Sequence, residues 1–189
     1  IRAETERLTN QPRDSAYLNT YKELLLKHIT RIEGIIQRML GLAREKERQV
    51  ADITLNELLE AVIACFNFDG IKLTKELQPV RPIKGDADEL QEVFVNLMQN
   101  AIDSMPNGGT ITLRTREESG KVVAEVADTG KGIPAELREK IFDPFFSTRH
   151  EGVGLGLSIV YRIVRETGGD IQVTSEVGKG TTFTLSFPV

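Results

Sequence analysis

The feature that most limits what this chain can fold into is Asp128-Thr129-Gly130-Lys131-Gly132-Ile133, set directly after the apolar run Val122-Val123-Ala124-Glu125-Val126-Ala127. A strand that ends on a carboxylate and then meets two spaced glycines lets the backbone come close to a ligand, where a side chain would collide. The arrangement suits a flat base: one carboxylate oxygen accepts from an exocyclic amine while the glycine turn lies near the ring. A single Asp-x-Gly-x-Gly is equally what a tight turn looks like. Two companions narrow the choice. A helical stretch from Asp88 to Ala101 precedes it, and Gly152-Val153-Gly154-Leu155-Gly156-Leu157 follows.

With 189 residues, 40% of them apolar, the chain can build one sizeable core plus an appendage. A net charge of -4 argues against a nucleic-acid footprint. No run of eighteen apolar residues crosses a membrane, and no apolar segment near the start marks a secretory signal. The lone Cys65 makes no internal disulfide, which fits a reducing, cytoplasmic setting, and it reads as a small buried hydrophobe within a helix.

From about Ser15 to Lys46 the pattern predicts one long helix. Leu18, Leu25, Ile32 and Met39 are seven apart, Tyr21, Ile35 and Leu42 fill a second seam position, and Ile29, Ile36 and Ala43 widen the stripe. Such a helix is marginal alone, so it belongs to a bundle whose partners are not supplied here. His28 falls on the seam and reads as a packed histidine rather than a phosphoacceptor or metal ligand. Arg44 to Gln49 is a charged hinge.

Beyond it, Asp52 to Thr54 predicts a short edge strand, and a helix capped by Thr54 or Asn56 runs to about Phe66. Ile71 to Leu77 alternates as a half-buried strand does. Asp86 with Glu89 forms a capping box for a helix whose core stripe is Leu90, Val93, Phe94, Leu97, Ala101 and Met105. A hairpin follows, Thr110–Arg116 and Lys121–Ala127 across Glu117 to Gly120. Pro134 then starts a short helix over 134–140, and Gly154 to Glu166 forms a longer one. Strands Asp170–Ser175 and Thr181–Phe187 close the chain. The fold class is α/β: a two-layer sandwich of mixed sheet and helices on one face, preceded by the stem helix. No βαβ unit opens with Gly-x-Gly-x-x-Gly, so a dinucleotide fold is not supported.

Asn96 and Asn100 share a helical face away from the core stripe, where asparagine is unfavourable without a purpose. One purpose is a hydrogen bond to a neighbouring loop. The other is an amide oxygen for a hard cation such as Mg2+. Backbone amides over Gly152 to Gly156 would open a helix toward a polyphosphate, although no Lys-Ser/Thr follows as in a Walker loop. Phe142-Asp143-Pro144-Phe145-Phe146 ahead of Ser147 to Glu151 reads as an anchor for a mobile lid, its rings also serving as core.

These elements, in this order, resemble the catalytic portion of sensor histidine kinases, within the superfamily that includes DNA gyrase B, the ninety-kilodalton heat-shock chaperone and the mismatch-repair ATPases. The N box is similar to Glu89–Asp103, the G1 box to Asp128–Gly132, the F box to Phe142–Phe146 and the G2 box to Gly152–Leu157. A closing glycine-threonine element matches Gly178-Lys179-Gly180-Thr181-Thr182-Phe183. The resemblance covers 50–189 as an ATP-binding domain and 1–47 as part of a dimerisation and phosphotransfer stem. It implies that Asp128 accepts from the adenine amino group, with Gly130 and Gly132 giving the base room. Asn100 would hold Mg2+ with Asn96 assisting, and Gly152, Gly154, Leu155 and Gly156 would line the phosphates. Thr181 would lie near the base and Arg149 against the γ-phosphate. Family members often carry a basic residue three positions after the metal-binding asparagine. Here that residue is Asp103, which leaves the contact to Lys131 or Arg149.

Relatives that hydrolyse ATP carry a glutamate one turn before that asparagine. Asn96 stands there instead, and its amide cannot activate water. The expected activity is therefore transfer of the γ-phosphoryl to a histidine, for relay to a response regulator, in a homodimer joined through the stem. The family's acceptor lies in a His-acid-x-x-Asn-Pro segment, and neither His28 nor His150 does. That helix, and any sensor part or membrane anchor, is expected upstream of Ile1. The rivals are a serine/threonine kinase of the same superfamily and a catalytically silent nucleotide-binding dimerisation module.

Overall fold

Strand-forming residues alternate inward and outward through Gly109–Glu118, Asp170–Glu176 and Gly180–Pro188, and that period gives the sheet one buried face. The computed structural model describes residues 48–148 and 153–189, together with Lys22, Leu25 and Leu26. The chain divides into two units, Ile1–Glu45 and Lys46–Val189. Of the first, the three described residues are helical and exposed. The readings of the stem helix, its seams, His28 and the hinge before Arg48 lie outside the described residues, as do those of Arg149, His150, Glu151 and Gly152.

In the second unit the order is β1 (Val50–Ile53), α1 (Leu55–Ile63), β2 (Ile71–Leu77), β3 (Ile83–Asp86), α2 (Ala87–Ser104), β4 (Gly109–Glu118) and β5 (Lys121–Asp128). Two short 3-10 turns, Ala135–Leu137 and Lys140–Phe142, lead to α3 (Gly156–Glu166), β6 (Asp170–Glu176) and β7 (Gly180–Pro188). The main sheet runs β2-β4-β5-β7-β6, with β2 parallel to β4 and the other neighbours antiparallel. A separate pair, β1 and β3, is antiparallel. This is the expected two-layer α/β sandwich.

One core joins the layers. Leu90, Val93, Phe94, Leu97 and Ala101 of α2 are buried, as is Met105 just beyond it, so the whole predicted stripe faces inward. Met98, four residues after Phe94, is buried with them. Ile111, Leu113, Val126, Leu185 and Phe187 meet them from the sheet, and Ile159, Ile163 and Val164 from α3. Each fully buried side chain of this size contributes about 1.5–3 kcal/mol of transfer free energy. The opposite sheet face is charged: Arg114 pairs with Glu76 at 2.7 Å and Arg116 with Glu125 at 2.6 Å, across neighbouring strands.

Several local expectations need correction. The hairpin turns over two residues, not four: Ser119 and Gly120 both have positive φ (53° and 77°), so the strands extend through Glu118. That mirror-image turn matches the right-handed twist of the strands. The segment after Pro134 makes two 3-10 turns rather than one helix. The third helix starts at Gly156, not Gly154, because Gly154 has φ +72° and cannot continue a right-handed helix backward. Cys65 is exposed, beyond the end of α1. Half of the capping box is present. Asp86 Oδ1 accepts from the amides of Asp88 and Glu89 at 3.0 and 3.3 Å, whereas the Glu89 carboxylate pairs with Arg48.

Candidate functional site

Three elements meet at one end of the sheet: the C-terminal half of α2, the loop after β5 and the start of α3. Antiparallel pairing carries β5 to Asp128, directly opposite Thr181 of β7. The chain must then leave the sheet, and it is pinned on both sides as it does. Thr129 N donates to Thr110 O at 3.1 Å, Lys131 N to Ser104 O at 3.2 Å, and Gly178 N to Lys131 O at 2.9 Å. Gly132 takes φ +70°, and a Cβ there would run into the carbonyl of Glu176, so the β6–β7 turn leaves room only for glycine. Ile133 N donates to Ser175 Oγ at 2.8 Å, and Ser175 also lies 2.9 Å from the Thr181 hydroxyl. Thr181 is thus beside Asp128, with its hydroxyl buried against Ser175.

Asp128 is half-buried. Its Oδ1 accepts from Gly130 N at 2.8 Å and from the Ser104 hydroxyl at 3.0 Å. Burial raises its pKa above the ordinary aspartate range, against the opposing pull of the Gly130 amide, the Ser104 hydroxyl and the Thr181 amide. A carboxyl whose pKa is raised on folding favours the protonated form in the fold. Its contribution to stability is therefore present in acid and is lost as pH rises through the raised value. Asp128→Asn should then raise the melting temperature of the ligand-free protein at neutral pH. The gain should vanish below the ordinary aspartate range, which thermal unfolding across pH measures.

Asn96 and Asn100 lie one turn apart on α2, off the buried stripe. Asn96 Nδ2 donates to Glu92 O at 2.8 Å, which leaves its oxygen turned toward Gly156: a Cβ on Gly156 would stand 2.7 Å from it. The sequence-distant asparagine face and the glycine-rich start of α3 are therefore adjacent. Asp103 accepts from Gln99 Nε2 at 2.7 Å on the exposed side of α2. Lys131 is exposed in the loop after β5.

The glycine run meets the phenylalanine element at Gly154, whose absent side chain lets Phe145 and Phe146 backbone pack against it. Leu155 precedes the first turn of α3 with its side chain fully buried, so only its backbone amide remains for a ligand. Two of the three phenylalanines anchor as expected. Phe142 packs against Tyr161 in a tilted arrangement with ring centroids 5.5 Å apart, and Phe146 packs on the core. Phe145 does not: it is 62% exposed, with φ +67°.

The donor set suits Mg2+ held together with phosphates. Amide oxygens are hard ligands, and this ion keeps several waters and phosphate oxygens rather than an all-protein cage. Among the described residues, no cluster of three His, Cys, Asp or Glu side chains offers such a cage. Sequence reading missed Ser104, whose partner stands 24 residues further on.

Over residues 85–189 the chain matches the family described as histidine kinase-, DNA gyrase B- and HSP90-like ATPase. It is 51% identical over 124 residues to the sensor kinase CckA of Brucella abortus, covering 57% of this chain and 13% of that protein. It superposes with TM-score 0.81 and 29% identity on histidine kinase ThkA in complex with the response regulator protein TrrA, covering 98% of this chain and 55% of that one. Full-length ShkA in complex with AMPPNP gives TM-score 0.78 at 26% identity, covering 96% and 40%. The chain spans 13% of the length of the sensor kinase CckA and 41% of the length of sporulation kinase C of Bacillus subtilis.

Proposed function

We propose that this chain, which belongs to the histidine kinase-, DNA gyrase B- and HSP90-like ATPase family as the catalytic domain of a sensor histidine kinase, holds ATP with Mg2+ and directs its γ-phosphoryl to a histidine. Residues 50–189 are the ATP-binding domain, and 1–47 belong to the stem of a dimeric phosphotransfer bundle that carries the acceptor in the whole protein. The neighbour solved with AMPPNP supports nucleotide binding, and the one solved with a response regulator supports onward relay to such a partner.

The observation that carries the reading is the Asp128 carboxylate at the end of β5. Gly130 N and the Ser104 hydroxyl hold its Oδ1 and the Thr181 amide also bonds the group, so of a carboxylate's roughly four lone-pair sites one is left to accept from the adenine amino group. A guanine places a carbonyl there and would be repelled. Backbone amides at the start of α3, including those of Leu155 and Gly156, present the positive end of the helix to the phosphates. Arg149 is the proposed cation for the γ-phosphate, with Lys131 the alternative, and Gly152 is proposed as a further phosphate-binding residue.

Asn100 would hold Mg2+, with Asn96 assisting. Bound there, the ion supplies charge neutralisation on the phosphates. An amide at Asn96 cannot take a proton from water, so hydrolysis is slow and the phosphoryl waits for the imidazole nitrogen. Attack there forms the P–N bond and releases ADP.

Equilibrium titration with ATP and GTP, with Mg2+ or with chelator, tests the reading. ATP should bind more tightly than GTP and should gain from Mg2+. Equal affinities for the two nucleotides would contradict it. No described helix is long and apolar enough to cross a membrane; a cytoplasmic site of action is part of the proposal.

A further inference from the structure

We infer that Ser104 is the positioning residue for base selection: its hydroxyl fixes the Asp128 carboxylate so that one oxygen is presented to the exocyclic amine of the base. The inference rests on Asp128 reading adenine and assigns the side chain that aims it.

Ser104 is the last residue of α2, and three observations tie it to the base loop. Its Oγ lies 3.0 Å from Asp128 Oδ1 and 2.8 Å from Ala101 O. Its carbonyl accepts from Lys131 N. A Cβ on Gly130 would overlap its Oγ, so the loop closes onto this hydroxyl with no space between.

A serine hydroxyl has one proton and two acceptors within reach here. The choice follows from charge. The end of a helix carries partial negative charge, and a carboxylate beside it is disfavoured unless a donor intervenes. A hydrogen bond to an ionised acceptor is about twice as strong as one to a neutral carbonyl. The proton therefore goes to Asp128 Oδ1, and Ala101 O is the fallback acceptor. With Gly130 N on the same oxygen, rotation of the carboxyl is arrested from two sides.

The test separates aim from fold. Ser104→Ala keeps the backbone bond to Lys131 and removes only the hydroxyl. ATP is compared with purine riboside triphosphate, which lacks the 6-amino group and so cannot use Asp128 as an acceptor. Ser104→Ala should weaken ATP roughly three- to tenfold while the deamino analogue stays within about twofold of wild type. Unchanged affinity for both would mean that the hydroxyl serves only the Ala101 carbonyl, and the inference falls. An equal loss for both would make Ser104 structural, and it falls again. Wild-type protein that binds the two nucleotides equally would overturn the Asp128 reading itself, and Ser104 with it.

Discussion

Asp128→Ala is expected to lower ATP affinity roughly thirty- to a thousand-fold, because a hydrogen bond to a charged, half-buried acceptor is worth about 2–4 kcal/mol once its donor is stranded. GTP affinity should fall much less, by the loop disturbance alone, so the preference between the two disappears. The truncation also leaves the Gly130 amide and the Ser104 hydroxyl without the acceptor they share in the native loop. That second effect disturbs the base loop and adds to the loss. Retention of the wild-type preference for ATP over GTP would show that another group reads the base.

Asn100→Ala is expected to reduce phosphoryl transfer to background and to weaken Mg2+-dependent ATP binding at least tenfold, on the order of what loss of a group supporting a metal costs. The substitution should leave the fold intact, since Asn100 lies off the buried stripe that Val93, Leu97 and Ala101 supply. Adenosine separates the two roles. It carries no phosphates, so its affinity should stay within about twofold if Asn100 acts on the metal and not on the base. A large loss of adenosine binding would instead place Asn100 in the base pocket or in the packing beneath it.

Much of this was legible in the chain because the signals were local. Period-two alternation predicted Ile71–Leu77, and the structure has that strand with the same ends. The apolar spacing of α2 predicted Leu90, Val93, Phe94, Leu97 and Ala101 as its buried stripe and missed only Met98 within the helix, and it isolated Asn96 and Asn100 as polar residues needing a reason. What stayed hidden depended on contacts between distant segments. The strand Ile83–Asp86 is four residues long and runs straight into the helix cap, so it has no period of its own to reveal it; it exists because Val50–Ile53 pairs with it. Ser104 reads as an ordinary helix-end serine until β5 brings Asp128 alongside. Phe145 reads as one more core ring in a phenylalanine cluster, yet the turn after Asp143 gives it positive φ and sends it outward. The adjacency of Asn96 and Gly156 likewise needs α2 and α3 to be packed together before it can be seen.

The central claim is that phosphate goes from ATP to a histidine rather than to water or a hydroxyl. The direct measurement is to incubate the whole protein, and this 189-residue chain in parallel, with Mg2+ and γ-labelled ATP, then to divide each sample between acid and base. The whole protein should carry label that acid removes and base spares, as phosphohistidine does, and the shorter chain should bind nucleotide yet stay almost unlabelled. Acid-stable label on the whole protein would mean a hydroxyl acceptor, and stoichiometric phosphate on His28 of the shorter chain would mean that the stem helix is itself the acceptor; either result contradicts the account.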